Sequence, residues 1–120
     1  MFREASLSED FIKMHQFLLK NKAEREQELF KTAWSYVQKV AEMIKTKYRV
    51  KDIFLYGSLA WGGFTEHSDL DLFLVGFQGK YWEMLLEAEH LSRPFVVSIV
   101  CEEDASSSLK KEVLRKGVPL

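Results

Sequence analysis

Asp69 and Asp71 stand two residues apart where an apolar run begins, Leu70-Asp71-Leu72-Phe73-Leu74-Val75. Residues i and i+2 of a strand share a face. The two carboxylates therefore project side by side, with Phe73 and Val75 behind them and Leu70, Leu72 and Leu74 on the other face. Carboxylates this close repel each other and are costly unless a cation sits between them. An oxygen-only pair suits Mg²⁺, which takes one or two carboxylates and completes its shell with substrate phosphates. Upstream, Gly57 and Ser58 close a second apolar run, Ile53-Phe54-Leu55-Tyr56. Glycine lets the backbone turn sharply and lets a ligand approach, and backbone N–H groups in such a turn favour anions. Ser58 adds a hydroxyl for a phosphate oxygen, and Gly62 and Gly63 keep the next segment free of side chains. The pattern is a phosphate cradle facing a metal-binding pair, an arrangement suited to a nucleoside triphosphate held through its metal. Ser68, directly before Asp69, joins Gly57 and Ser58 as a candidate nucleotide contact.

Gly-Ser, a further Gly, then Ser-Asp-x-Asp, with apolar strands on both sides, resembles the signature of the DNA polymerase β-like nucleotidyltransferases. The short chain is similar to the minimal nucleotidyltransferases, which are often paired with HEPN-domain proteins in prokaryotic toxin–antitoxin modules. The resemblance spans Val50 to Leu120, and its motif part is Gly57 to Leu72. No Gly-Lys-Ser or Gly-Lys-Thr follows, so the loop is not of the Walker type. The resemblance implies Mg²⁺-dependent transfer of a nucleoside monophosphate from a triphosphate, ATP foremost, to a hydroxyl. Asp69 and Asp71 would hold the metal and act as the catalytic pair, and Gly57 and Ser58 would hold the β- and γ-phosphates. The acceptor it implies is a partner protein side chain, such as a tyrosine of a HEPN toxin.

Two positions depart from the family pattern. A third carboxylate usually stands on the strand after the Asp pair and helps to activate the attacking hydroxyl. Here that strand reads Phe95-Val96-Val97-Ser98-Ile99-Val100, and Ser98 aligns with the absent acid. Glu102 shares its face parity but lies ~13 Å further along at strand rise, so Glu102, Glu103 and Asp104 read as a solvated strand end. Trp61 stands where many relatives carry Arg; it packs beside the turn or stacks on a base. General-base help is typically worth ~10²–10⁴-fold. Two readings follow: a slow enzyme, or a degenerate member that binds nucleotide or partner without chemistry. His67 reads as a solvent-exposed loop residue, and His15 and His90 as surface positions on helices.

The elements that must position these residues follow from periodicity. Ser6-Leu7-Ser8-Glu9 reads as a capping box with Ser6 as N-cap. Phe11, Met14, Phe17 and Leu18 then recur at helical spacing, and Asn21 is a possible break. Phe30, Ala33, Trp34, Val37, Val40, Ala41, Ile44 and Tyr48 form one stripe, ending near Thr46 or Lys47. After the first strand come a turn, a short helix and a loop, then a strand from Asp69 to Val75. Tyr81 to Leu91 reads as a helix with Trp82, Leu85, Leu86 and Ala88 as its core face, stopped by Arg93-Pro94. Phe95 to Cys101 is apolar at nearly every position, as a strand covered on both faces would be. Ser106-Ser107-Ser108 caps a last helix, Leu109 to Lys116, stopped at Gly117. The order predicts an α/β (α+β) chain with a small mixed sheet of about three or four strands and helices packed on it, in agreement with the nucleotidyltransferase fold that the resemblance implies. Residues 30–120 form the core, and residues 1–29 are a helical extension that packs on it or contacts a partner or second copy.

Composition sets the outer bounds. The chain has 120 residues, 47% of them hydrophobic and 13% aromatic, as one folded domain does and a disordered segment does not. A formal net charge of −1 provides no global field for nucleic acid. A nucleic-acid partner is therefore not expected; the partner that the resemblance implies is a HEPN-type protein, with a homodimer as the other expectation. The lone Cys101 lies in an apolar run, and the first ten residues are polar, without the pattern of a signal peptide. No apolar run approaches the ~20 residues that span a membrane. The expected compartment is the cytoplasm.

Overall fold

In the computed structural model, which describes residues 8–120, the chain opens on α1, a single helix of 39 residues from Glu9 to Lys47. No Gly or Pro interrupts that span, and Asn21 does not break it, because Asn costs a helix far less than either. Ser8 is the N-cap: its hydroxyl oxygen accepts from the Phe11 N–H at 3.1 Å. The expected cap at Ser6 lies outside the described residues. Glu9 and Asp10 in the first turn and Lys45 and Lys47 in the last complement the helix dipole. Tyr48 leaves the helix in extended conformation while its N–H still donates to Ile44 O.

The remaining elements are β1 (Asp52–Tyr56), α2 (Ser58–Trp61), β2 (Leu70–Val75), α3 (Tyr81–Ser92), β3 (Val97–Cys101), a 3₁₀ turn (Glu102–Asp104), α4 (Ser107–Lys116) and β4 (Val118–Pro119). The four strands form one mixed sheet in the order β3-β2-β1-β4. β2 runs antiparallel to β1 and parallel to β3, and β4 runs antiparallel to β1. This is the expected small mixed sheet with helices against it. The two-residue β4 has no periodicity to betray it in the sequence; Gly117 ends α4 and lets the chain fall back along Phe54 and Leu55. Among the described residues, no helix is long and apolar enough to cross a membrane.

One face of the sheet carries the core. Ile53 and Leu55, then Leu70, Leu72 and Leu74, then Val97, Ile99 and Cys101 are all buried there. They meet Ala33, Val37, Val40, Ala41 and Ile44 of α1 and Met84 and Ala88 of α3. Two expectations need correction. Trp82 and Leu86 are 73% and 69% exposed, and the buried positions of α3 are Met84, Ala88 and Ser92. The amphipathic stripe of α3 is rotated because its apolar residues extend round the helix and only tertiary contact selects among them. Nor is β3 covered on both faces. It is an edge strand in which Val97, Ile99 and Cys101 are buried and Ser98 and Val100 are half-exposed. Its open edge is partly closed by the Tyr81 hydroxyl, which donates to Ile99 O at 2.8 Å.

The opposite face holds Phe73, fully buried, and the α4 side chain Val113, also fully buried. Phe73→Ala should cost about 3–5 kcal/mol, because it empties a packed site on the side of the sheet that bears the carboxylates. Trp82→Ser should change stability by no more than about 0.5 kcal/mol, as at other exposed positions. Urea denaturation of the two variants measures both.

Candidate active site

Strand register assembles the site. Tyr56 of β1 lies opposite Asp71 of β2, and Asp71 lies beside Ser98 of β3. Directly paired residues share a face, so Tyr56, Asp71 and Ser98 form one row across three strands. The next row on that face is Phe54, Phe73 and Val100. The chemistry-bearing row therefore sits at one end of the sheet on a floor of apolar side chains. Asp69 comes one residue before β2 and is exposed, while Asp71 is half-buried.

Gly57 follows Tyr56 at the same end. Its φ of 75° lies in the left-handed region that glycine enters without strain. A Cβ built there would stand 2.2 Å from Asp71 Oδ2 and 3.1 Å from its Cγ. The Asp71 carboxylate thus occupies the volume that any side chain at position 57 would need. From Gly57 the chain enters α2, a single turn in which Gly57 O accepts from the N–H groups of Ala60 (3.1 Å) and Trp61 (2.9 Å). The first N–H groups of a helical turn have no partner inside it, and here they belong to Ser58 and Leu59, next to the carboxylate.

The arm from Gly62 to Ser68 returns the chain to Asp69. Phe64 anchors it against Phe95, with ring centroids 6.1 Å apart, and Phe95 packs edge-on against Tyr36 at 5.5 Å. The Ser68 hydroxyl, expected at the nucleotide, is engaged inside the arm: it accepts from the Thr65 N–H at 2.9 Å and lies 3.3 Å from Thr65 Oγ1. Ser68 thereby sets the turn that delivers Asp69. His67 is exposed beside Glu66. A groove of about 410 Å³ runs between α1 and this arm, with Phe30, Ser58, Trp61 and Phe64 among its walls.

Trp61 is held by α4. Its Nε1–H donates to Lys116 O at 2.8 Å, and the Lys116 ammonium lies 4.4 Å from the ring centroid. The indole satisfies one of the open carbonyls at the end of α4 and adds a cation–π contact. Nothing in the sequence marks this pairing of residues 55 positions apart. Glu102 forms an ion pair with Lys110 at 2.7 Å, so the nearest acid of matching parity is spent on α4.

Burial, and then the neighbouring charge of Asp69, push the Asp71 carboxyl up from its ordinary 3.8 to about 6. Burial, and then Asp71, likewise raise the Tyr56 phenol. Among the described residues, no three Asp, Glu, His or Cys side chains gather in a ready-made metal cage. The donor set still fits Mg²⁺: two carboxylates lie near enough for the charge of Asp69 to act on Asp71, Asp71 is half-buried and disfavoured as a bare anion, and the glycine at position 57 leaves its carboxylate room. Mg²⁺ asks for one or two carboxylates and takes the rest from substrate and water.

These electrostatics have a pH signature. A carboxyl whose folded pKa lies above its unfolded value favours the native state fully below about pH 4. That contribution falls as pH rises and is lost by about pH 6. Metal-free Asp71→Asn should therefore melt higher than the parent above about pH 6 and at the same temperature below about pH 4. Thermal melts in chelator across that range test it.

A family model described as "Polymerase beta, Nucleotidyltransferase" matches residues 38–120. A solved structure described as "Structure of putative minimal nucleotidyltransferase" superposes with a TM-score of 0.60 at 28% identity, covering 76% of this chain and 95% of that one. A Methanocaldococcus jannaschii protein named "Putative protein adenylyltransferase" is 43% identical over 42 residues, 33% of this chain and 42% of that one. The chain thus spans less than half the length of this curated relative in the match. The matched region holds every strand of the sheet, the Gly57 turn and the Asp69–Asp71 pair, and the chain belongs to the polymerase beta nucleotidyltransferase family.

Proposed function

We propose that this chain is a Mg²⁺-dependent transferase that moves a nucleoside monophosphate, adenylate first among them, from a triphosphate to a hydroxyl of a partner protein. The observation that carries the reading is the fit of the Asp71 carboxylate into the space above Gly57, one residue before the N–H groups of α2. Asp69 and Asp71 would hold Mg²⁺ on the triphosphate. Gly57 and Ser58 would receive the β- and γ-phosphates, and Ser68 would keep Asp69 in place through Thr65. Bound Mg²⁺ supplies charge neutralisation on the transferring and leaving phosphates. The acceptor oxygen forms a bond to the α-phosphorus as the bond to pyrophosphate breaks, and the acceptor proton passes to water.

Asp69 is exposed and Asp71 only half-buried at one end of the sheet, an open setting that suits a hydroxyl presented by a macromolecule. The relative named as a protein adenylyltransferase supports a protein acceptor and ATP. A HEPN-type partner, implied by the sequence resemblance, is the first to try. Residues 30–120 would be the transferase core, and residues 1–29 an added helical segment. The single Cys101, buried and with its thiol pushed up to about 11 by burial and then by Glu103 and Asp104, fits a reducing cytoplasmic compartment. With Mg²⁺ and ATP present, the melting temperature should rise by mass action. Asp69→Asn with Asp71→Asn should abolish the rise, and Gly57→Ala should reduce it by displacing Asp71. A double variant that still binds Mg²⁺–ATP as the parent does would overturn the site.

A second reading has its own observation. Ser98 is in register beside Asp71, where a carboxylate would assist the acceptor, and a serine hydroxyl is a poor base at neutral pH. A member without chemistry would bind nucleotide or partner and act by contact alone. Ser98→Asp separates the readings. In a slow enzyme it should raise nucleotidyl transfer by about tenfold or more, within the general-base range. It should also lower metal-free stability, because an unpaired carboxylate would enter a half-buried site. Unchanged activity in a folded variant would favour the contact-only reading.

A further inference from the structure

The first buried residue of α1 is Ala33, and residues 9–21 project as an arm beyond the part of the helix that faces the Phe64 segment. Within that arm, Phe11, Ile12, Met14, Phe17, Leu18 and Leu19 are 40–64% exposed. Glu9, Lys13, Gln16 and Lys20, spaced four, three and four apart, make one narrow polar stripe. The apolar side chains take most of the remaining circumference between Phe11 and Leu19. Six large side chains about half exposed amount to something on the order of 600 Å² at roughly 200 Å² each when fully bare. That is at the upper end of the largest patch on a typical monomer, about 300–600 Å². Two such surfaces buried in full would amount to about 1,200 Å², the lower edge of a standard interface, and a two-helix contact that covers one side of each makes a smaller one. The arm lies outside the family match, which begins at residue 38, and 76% of this chain suffices to cover 95% of the minimal relative.

Charge identifies the occupant. Glu9 and Asp10 precede the apolar run, and Lys20 and Lys22 follow it. A parallel neighbour would set acid on acid and base on base. An antiparallel copy sets the acidic end of each helix beside the basic end of the other, opposes the two helix dipoles, and lays the apolar run on itself about a dyad near His15. Such an isologous contact closes at two copies.

We propose that residues 11–19 of α1 pair antiparallel with the same residues of a second copy, making the chain a dimer through its projecting arm. The pairing is independent of the transferase reading. Light scattering of the full chain on a sizing column should give twice 14.0 kDa. Met14→Glu with Leu18→Glu should give a monomer whose Mg²⁺–ATP melting shift is unchanged, since neither residue is near the site. Lys20→Glu with Lys22→Glu should weaken the dimer about tenfold or more at low salt. Adding Glu9→Lys and Asp10→Lys should restore it, which a general loss of helix would not allow. Direction is read by cross-linking: His15→Cys should be joined into a dimer by a short bismaleimide. Asn21→Cys should not, and the buried Cys101 supplies no background. A monomeric full chain, equal cross-linking at positions 15 and 21, or failure of the charge reversal to restore association would each overturn the antiparallel pairing. A chain that associates only with a different helical protein would do the same.

Discussion

The Asp71 carboxylate and position 57 compete for one volume, and this end of the sheet is arranged around that competition. With the carboxylate in place, only glycine leaves room. Glycine in turn permits the left-handed backbone that swings the chain out of β1 into α2. Half-burial against the turn, with Asp69 as a like-charged neighbour, makes Asp71 an uncomfortable anion. The folded core must hold that charge, and either a proton or a cation relieves it. Turn geometry, anion-seeking N–H groups and cation-seeking carboxylate thus have one steric origin.

The two faces of the sheet divide the labour. The Leu70-Leu72-Leu74 face is sealed by α1 and α3 and supplies the rigidity that fixes strand register. Register then sets the Tyr56–Asp71–Ser98 row on the other face, where α4 covers the apolar floor at Phe73 and Val113 but leaves the row open. Trp61 joins the layers: its hydrogen bond to Lys116 O ties the one-turn α2 to the end of α4. A single helical turn has little stability of its own, so this tertiary contact, together with Tyr56 packing at 6.2 Å, holds the turn in place. Trp61 thus serves as a structural clasp between α2 and α4.

Edges and overhangs are treated differently. β3 is short, and Tyr81 occupies one of its free carbonyls; β1 is covered by β4, with Leu120 N–H donating to Ile53 O. Both sheet margins are thereby blunted. Among the described residues the arm of α1 has no such cover, and its apolar side chains remain where a second surface can reach them.

The local chemistry of the site was legible in one dimension. Alternation set Asp71 on the face opposite Leu70 and Leu72, and the glycine marked the end of the first strand, because strand parity and glycine's backbone freedom are properties of neighbouring residues. Ser98 could be placed beside the pair from the polarity of its strand, since it is the one polar side chain in an apolar run. The sequence could not show which side of α3 meets the sheet, because Trp82, Leu85, Leu86 and Ala88 are as apolar as Met84 and only contact with α1 chooses between them. Nor could it show that β3 is an edge, that Pro119 pairs with Phe54, that Trp61 clasps Lys116, or that the Ser68 hydroxyl turns inward to Thr65. Continuity of α1 through Asn21 was open in the sequence, since local propensity leaves a single polar residue undecided. The sequence alone determined which residue types stand at which positions, and so which of them are candidates for the chemistry. Tertiary structure decided their spacing, burial and charge, because those depend on partners brought together by packing from distant parts of the chain.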